Sequence, residues 1–156
     1  MNYCHALVVD DDAFSRQILS EFMQDMRFNV TEAKSAHQAL ASIQMEKFDI
    51  VISDLVMPTL DGLQLLEEIK KIDSETPFLM VTGYPSVSGS VEALKQGASG
   101  YITKPFTPEK LQRSINQAFE RKFLSDPLRM VKGSIVGFSL SVIMWMLIVL
   151  AVWASV

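Results

Sequence analysis

The sequence has a single cysteine, Cys4, which excludes an internal disulfide. Cys4 opens the first apolar run, and this predicts a small buried residue in a reducing compartment. Histidine is scarce as well. His5 precedes the first strand and His37 lies on a helix beside Gln38, and neither has a partner that would give it chemistry. Basic charge is not in excess: Lys and Arg number 14 against 18 Asp and Glu, a net charge of −4, which leaves no basic patch for nucleic acid. The start, Met1-Asn2-Tyr3-Cys4-His5, lacks both a basic stretch and a long apolar core, which argues against a signal peptide. Charge is absent altogether from Gly133 to Val156. Every acidic residue lies at or before Asp126, and the last basic residues are Arg129 and Lys132. The two parts of the chain therefore suit different solvents.

What is present before that point is an alternation of short apolar runs and amphipathic stretches. Ala6-Leu7-Val8-Val9 predicts a first strand that ends in acids. Phe14, Ile18, Leu19, Phe22 and Met26 fall at helical spacing. Asn29 to Glu32 fits a second strand, and Ser35 caps a helix through Ala39, Leu40 and Ile43. Ile50-Val51-Ile52-Ser53 is a third strand with Asp54 at its carboxyl end. Asp61-Gly62 opens a helix carrying Leu63, Leu66 and Ile69. Pro77 to Thr82 is a fourth strand, Val87 to Gln96 a helix stopped by Gly97, and Gly100 to Thr103 a fifth strand. Pro108 begins a last helix through Leu111, Ile115 and Phe119, with Thr107 as its N-cap.

Five strand–helix units predict an α/β fold with a five-stranded parallel sheet covered on both faces, because crossover helices join parallel strands. Unbroken apolar strands agree with burial on both sides. In open sheets of this kind, ligands sit beyond the carboxyl ends of the strands. Those ends carry Asp10-Asp11-Asp12, Asp54, Thr82 and Thr103-Lys104-Pro105-Phe106. Converging carboxylates repel one another, and a hard divalent cation such as magnesium relieves the repulsion. Such a set suits phosphoryl transfer, in which catalysis is mostly positioning and charge neutralisation. Asp54, central among the acids, is the natural nucleophile. Lys104 and the Thr82 hydroxyl, with the Gly83 backbone N–H, would meet the other phosphoryl oxygens. Asp12 reads as a helix N-terminal charge rather than a ligand.

Four blocks carry a resemblance: Val8-Val9-Asp10-Asp11-Asp12, Asp54-Leu55-Val56-Met57-Pro58 with Asp61-Gly62, Val81-Thr82-Gly83, and Tyr101-Ile102-Thr103-Lys104-Pro105-Phe106. In this order and spacing the sequence resembles the receiver domains of two-component response regulators, over roughly residues 4–123. The resemblance implies a flavodoxin-like (βα)5 fold with Asp54 as phosphoacceptor. Asp10, Asp11 and Asp54 would be metal ligands, joined by the Val56 backbone carbonyl. Lys104 and Thr82 would be catalytic, Thr82 and Tyr101 would form a switch pair, and the Lys104–Pro105 peptide bond would be cis. It implies magnesium as cofactor, a phosphohistidine on a sensor histidine kinase or phosphotransfer protein as donor, and partner binding through the surface around the fourth helix, fifth strand and last helix. The domain would catalyse its own phosphorylation and dephosphorylation while acting as a signalling switch. Alternatives are a membrane-tethered interaction module that never uses the phosphoryl group, or a phosphate shuttle to a histidine phosphotransfer protein. Val56 and Tyr84, each two positions past a site residue, predict slow hydrolysis of the phospho-form.

The expected organisation is a receiver domain at 1–125, a linker at 126–132 and a transmembrane helix at 133–156. Those last 24 residues would span about 36 Å at roughly 1.5 Å rise per residue, against a hydrocarbon thickness of roughly 30 Å. Trp153 fits an interfacial aromatic. Arg129 and Lys132 just before the span predict a receiver on the cytoplasmic side of a single-pass anchor. Gly133, Gly137 and Ser141 share one helix face, which permits close helix–helix approach and with it a homodimer. An anchor in place of a DNA-binding or enzymatic output domain departs from the usual receiver and leaves the downstream protein unidentified.

Overall fold

The computed structural model describes residues 4–125. The order is β1 His5–Val9, α1 Ala13–Asp25, β2 Asn29–Ala33, α2 Ala36–Met45, β3 Ile50–Asp54, α3 Gly62–Ile72, β4 Phe78–Thr82, α4 Val87–Lys95, β5 Gly100–Thr103 and α5 Pro108–Ser125. The strands form one parallel sheet in the order β2-β1-β3-β4-β5. The expected fold is thus present, and the sheet-bearing unit runs Met1–Lys122. The expected linker at 126–132 and membrane helix at 133–156 lie outside the described residues. Among the described residues, no helix is long and apolar enough to cross a membrane.

Alternation along the strands builds two cores. On β1, Leu7 and Val9 join Val51, Phe78 and Met80 against Ala36, Ala39, Leu65, Leu66 and Ile69, so α2 and α3 cover one face. Ala6 and Val8 join Ile50, Ile52, Leu79, Val81 and Ile102 against Leu19, Met23, Leu111 and Ile115, so α1 and α5 cover the other. Every residue of β3 and β4 is buried, which explains why those strands read as unbroken apolar runs. Truncating one of these large side chains, such as Ile52 to alanine, removes about 2–5 kcal/mol of stability.

Local signals set the helix starts. Asp12 accepts the Ser15 N–H at 2.7 Å and caps α1, as a helix N-terminal charge should. Ser35 caps α2 through the Gln38 N–H, and Thr107 accepts the Lys110 N–H at the start of α5. Asp61 and Gln64 exchange side-chain-to-backbone bonds in a full capping box at the start of α3. Gly97, at φ +96°, ends α4 in a conformation that suits glycine.

Two burial expectations fail. Cys4 is exposed, not buried. It stands one residue before β1, where its carbonyl accepts the Asn29 N–H. Partial desolvation, with the negative charge of Asp49, pushes its thiol above the ordinary cysteine value. Phe14, expected on the apolar face of the first helix, is 72% exposed. It lies in the first turn of α1, nearly opposite the buried Leu19 and Met23 around the helix.

Candidate functional site

Sheet register brings the acids together. Val9 pairs with Ser53, so Asp10 and Asp54 leave neighbouring strands side by side. These are β1 and β3, between which the strand order reverses, the position at which open α/β sheets bind ligands. On the other side Asp54 pairs with Val81 and Thr82 with Thr103, which places Lys104 one residue beyond the β5 end. Lys104 Nζ then donates to Asp10 Oδ2 at 2.7 Å and to Asp54 Oδ1 at 3.1 Å. The Lys104–Pro105 peptide bond is cis.

Asp10 and Asp54 are both buried, at 1% and 7% exposure, while Asp11 is exposed. One carboxylate oxygen from each of the three lies within 4.8 Å of the others. That donor set is all hard oxygen and open to solvent on the Asp11 side, which suits a magnesium-sized ion that keeps some of its water. Burial pushes the Asp54 carboxyl up. The attraction and hydrogen bond of Lys104 pull it back and the neighbouring Asp10 pushes it up, leaving it above the ordinary aspartate range. Burial pulls the Lys104 ammonium down, but the hydrogen bond and charge of Asp10, with those of Asp54, outweigh this and hold it above the usual lysine value.

The remaining predicted residues stand around this centre. The Val56 backbone N–H donates to Asp54 Oδ2 at 3.1 Å, and its side chain is half exposed. Thr82 is fully buried, and its hydroxyl oxygen accepts the Tyr84 N–H at 3.0 Å. The Tyr84 ring projects into solvent. Tyr101 packs half buried against the core on the α2–α4 face, and its hydroxyl is buried without a hydrogen-bond partner among the described residues. A Cβ placed on Gly89 of α4 would stand 4.0 Å from that hydroxyl, so the ring is turned inward beneath the start of α4. Gly62 is required by close approach: a Cβ there would collide with the Asp54 carbonyl oxygen and lie 2.9 Å from Leu55 Cα. At Gly83, by contrast, a Cβ would meet nothing within 4 Å.

Two residues that support Asp10 were not foreseen. Ser15 donates its hydroxyl to Asp10 Oδ2 at 2.7 Å. Arg16 donates to the Asp10 carbonyl at 2.8 Å and pairs with Glu32 at 3.1 Å. The available signal was their place in the first turn of the helix that follows Asp10, close enough to fold back on it. The two histidines stay outside the site: His5 hydrogen-bonds Thr31 at 3.0 Å and packs its ring on Phe48, and His37 lies exposed on α2.

Residues 6–116 match the response regulator receiver domain family. The chain is 40% identical over 112 residues to the transcriptional regulatory protein ZraR of Salmonella typhimurium, covering 72% of this chain and 25% of that one. It is 35% identical over 117 residues to the C4-dicarboxylate transport transcriptional regulatory protein DctD of Rhizobium meliloti, at 75% and 25% coverage. This chain therefore spans about a quarter of the length of these relatives. Among solved structures, the chemotaxis protein CheY4 of Vibrio cholerae superposes with a TM-score of 0.71 at 33% identity, covering 75% of this chain and 99% of that one. NtrX of Brucella abortus superposes at 0.77 and 31% identity, covering 83% and 30%. With sheet order, acid cluster and lysine all in agreement with that match, the chain belongs to the response regulator receiver domain family.

Proposed function

We propose that Asp54 accepts a phosphoryl group from a phosphohistidine on a sensor histidine kinase or phosphotransfer protein, and that the chain signals at a membrane by binding a partner. The observation that carries the first half is the approach of Lys104 to both Asp10 and Asp54. An Asp54 carboxylate oxygen attacks phosphorus, the P–N bond to the donor imidazole breaks, and an acyl phosphate forms on Asp54. Lys104 then moves its ammonium from the carboxylate to a phosphoryl oxygen. Thr82 exchanges the Tyr84 N–H for another phosphoryl oxygen, with Gly83 N–H beside it. Asp10, Asp11 and Asp54, with the Val56 carbonyl, would hold a magnesium ion, which would supply charge neutralisation for the transferred group.

Output through a partner is supported by α4. Its Val87, Val91 and Leu94, at i, i+4 and i+7, are all exposed and form an apolar stripe on the outer face of α4. Thr82 would turn toward the acyl phosphate and Tyr101, whose hydroxyl lies beneath Gly89 of α4, would follow it, and that movement would shift α4. The transcriptional role of ZraR and DctD belongs to proteins of which the matched stretch is only 25%, and for this chain the proposed output is partner binding at a membrane. The membrane half rests on the charge-free stretch 133–156 and the basic residues before it, which orient the receiver to the cytoplasmic side.

Incubation with a small-molecule phosphodonor and magnesium should label the wild type and leave Asp54→Ala unlabelled. Equal labelling of the two would remove Asp54 from the reaction. Fractionation of cells expressing the full chain and a chain ending at residue 125 should place only the full chain with membranes. A phosphate shuttle would differ by returning the group to a histidine phosphotransfer protein.

A further inference from the structure

The Asp10 carboxylate accepts three hydrogen bonds, and one comes from a side chain that has no role in the phosphoryl-transfer reading. Ser15 Oγ donates to Asp10 Oδ2 at 2.7 Å. The same oxygen takes Lys104 Nζ at 2.7 Å. The Asp12 N–H donates to Oδ1 at 3.0 Å. An ionised carboxylate offers about four lone-pair sites, two on each oxygen. Oδ2 is thus filled from two sides, and Oδ1 keeps one site. Burial of Asp10 to 1% exposure leaves little room for water to compete for these positions. Ser15 is itself held in place, because its backbone N–H donates to the Asp12 capping carboxylate at 2.7 Å.

We infer that Ser15 is a positioning residue for the metal site: its hydroxyl fills the second site on Asp10 Oδ2 and so presents Oδ1 as the oxygen of Asp10 that takes the cation. The inference rests on the metal-site reading above. A hydrogen bond to the far oxygen of a ligating carboxylate fixes its rotation and keeps the ligand oxygen aimed. Without the hydroxyl, Oδ2 has an open lone pair on the α1 side, and the carboxylate is free to turn toward it. Ser15 has a second use in the same frame. When Lys104 turns to a phosphoryl oxygen, Ser15 is the donor that stays on Oδ2, so that buried oxygen is not left without one.

Calorimetric titration of magnesium chloride into the full chain tests this, with wild type, Ser15→Ala, Ser15→Thr and Asp11→Asn. The expected result is about a tenfold weaker magnesium Kd for Ser15→Ala, the low end of what partners of metal ligands contribute, and recovery in Ser15→Thr, which keeps the hydroxyl. Ser15→Cys keeps the size with a much weaker donor; it should also bind more weakly and covers the case in which the alanine variant does not fold. Unchanged affinity in Ser15→Ala, with or without a lower metal-free Tm, would make the serine merely structural and overturn the inference. So would a threonine variant that folds yet binds like alanine. Absence of magnesium binding in the wild type, or binding that survives in Asp11→Asn, would instead strike the metal-site reading itself.

Discussion

Lys104 Nζ donates to Asp54 Oδ1 across 3.1 Å, joining residues fifty positions apart in the chain. Because the same ammonium also holds Asp10, it is the cation that lets two buried carboxylates share one strand-end pocket. Replacing it with a residue of similar length and no charge leaves both acids facing each other. Lys104→Met should therefore destabilise the metal-free protein by about 3 kcal/mol, as removal of one member of a buried ion pair does. Urea denaturation with and without magnesium measures it, and magnesium should restore part of the loss. A loss well under 1 kcal/mol would mean that the acids already have another counter-charge.

Asp54 gives a pH dependence whose sign follows from its raised carboxyl. Below the ordinary aspartate range both folded and unfolded chains hold the proton, and the contribution of the protonated group is fully present. As pH climbs through the raised folded value the proton is lost from a buried site, and that contribution disappears. Asp54→Asn keeps the shape and never ionises. Its Tm advantage over the metal-free wild type should therefore be small near pH 4 and widen toward pH 7. A gap that narrows as pH rises would show that Lys104 overcompensates for burial.

Much of this site could be read before any coordinates, for a physical reason. Strands β1, β3, β4 and β5 are apolar runs cut off abruptly by Asp10, Asp54, Thr82 and Lys104, and a parallel sheet gathers all carboxyl ends on one edge. Pairing of Val9 with Ser53 and of Thr82 with Thr103 converts that topology into contact. Helix faces were less legible. Phe14 is one turn from Ile18, yet the buried face of α1 centres on Leu19 and Met23, which lie nearly opposite Phe14 around the helix. Cys4 misled as well. Ser15 and Arg16 escaped notice because a short polar side chain in a first helical turn looks like capping or solvent exposure, and only the fold shows it bent back onto Asp10. The capping box of Asp61 with Gln64 is legible in half: Asp61-Gly62 marks the helix start in the sequence, and the return bond from Gln64 is seen only in the fold.

The two glycines beside the site should behave oppositely. A methyl on Gly62 has no space against the Asp54 carbonyl and Leu55 Cα, both backbone, so relief requires shifting the end of β3 itself. Gly62→Ala should cost about 2–3 kcal/mol, in the range of overpacked cores, and lower phosphoryl labelling at saturating magnesium. At Gly83 a methyl meets open space, and its backbone N–H is retained. Gly83→Ala should label within about twofold of wild type, a difference smaller than 1 kcal/mol. Equal damage from both variants would show that the loop after β4 closes down during the reaction.

Hydrolysis of the phospho-form depends on what can hold a water against the acyl phosphate. Val56 and Tyr84 flank the position, two residues past Asp54 and Thr82, and neither side chain carries an amide or carboxylate to orient an attacking water. The Val56 side chain is half exposed and the Tyr84 ring lies in solvent, so polar replacements at both positions can be hydrated without disturbing the core. Val56→Asn combined with Tyr84→Ser should shorten the phospho-form lifetime by roughly tenfold, less than a full general-base effect because an amide or hydroxyl aims water without taking its proton. Loss of label from purified phosphoprotein, followed after removal of the donor, measures the rate directly. The single variants separate orientation from access: Val56→Asn supplies the acceptor, whereas Tyr84→Ser removes only a ring that can fold over the phosphoryl group. A lifetime that shortens in Tyr84→Ser alone would assign the slow hydrolysis to shielding. One that is unchanged in the double variant would place the barrier in Lys104 and the metal instead.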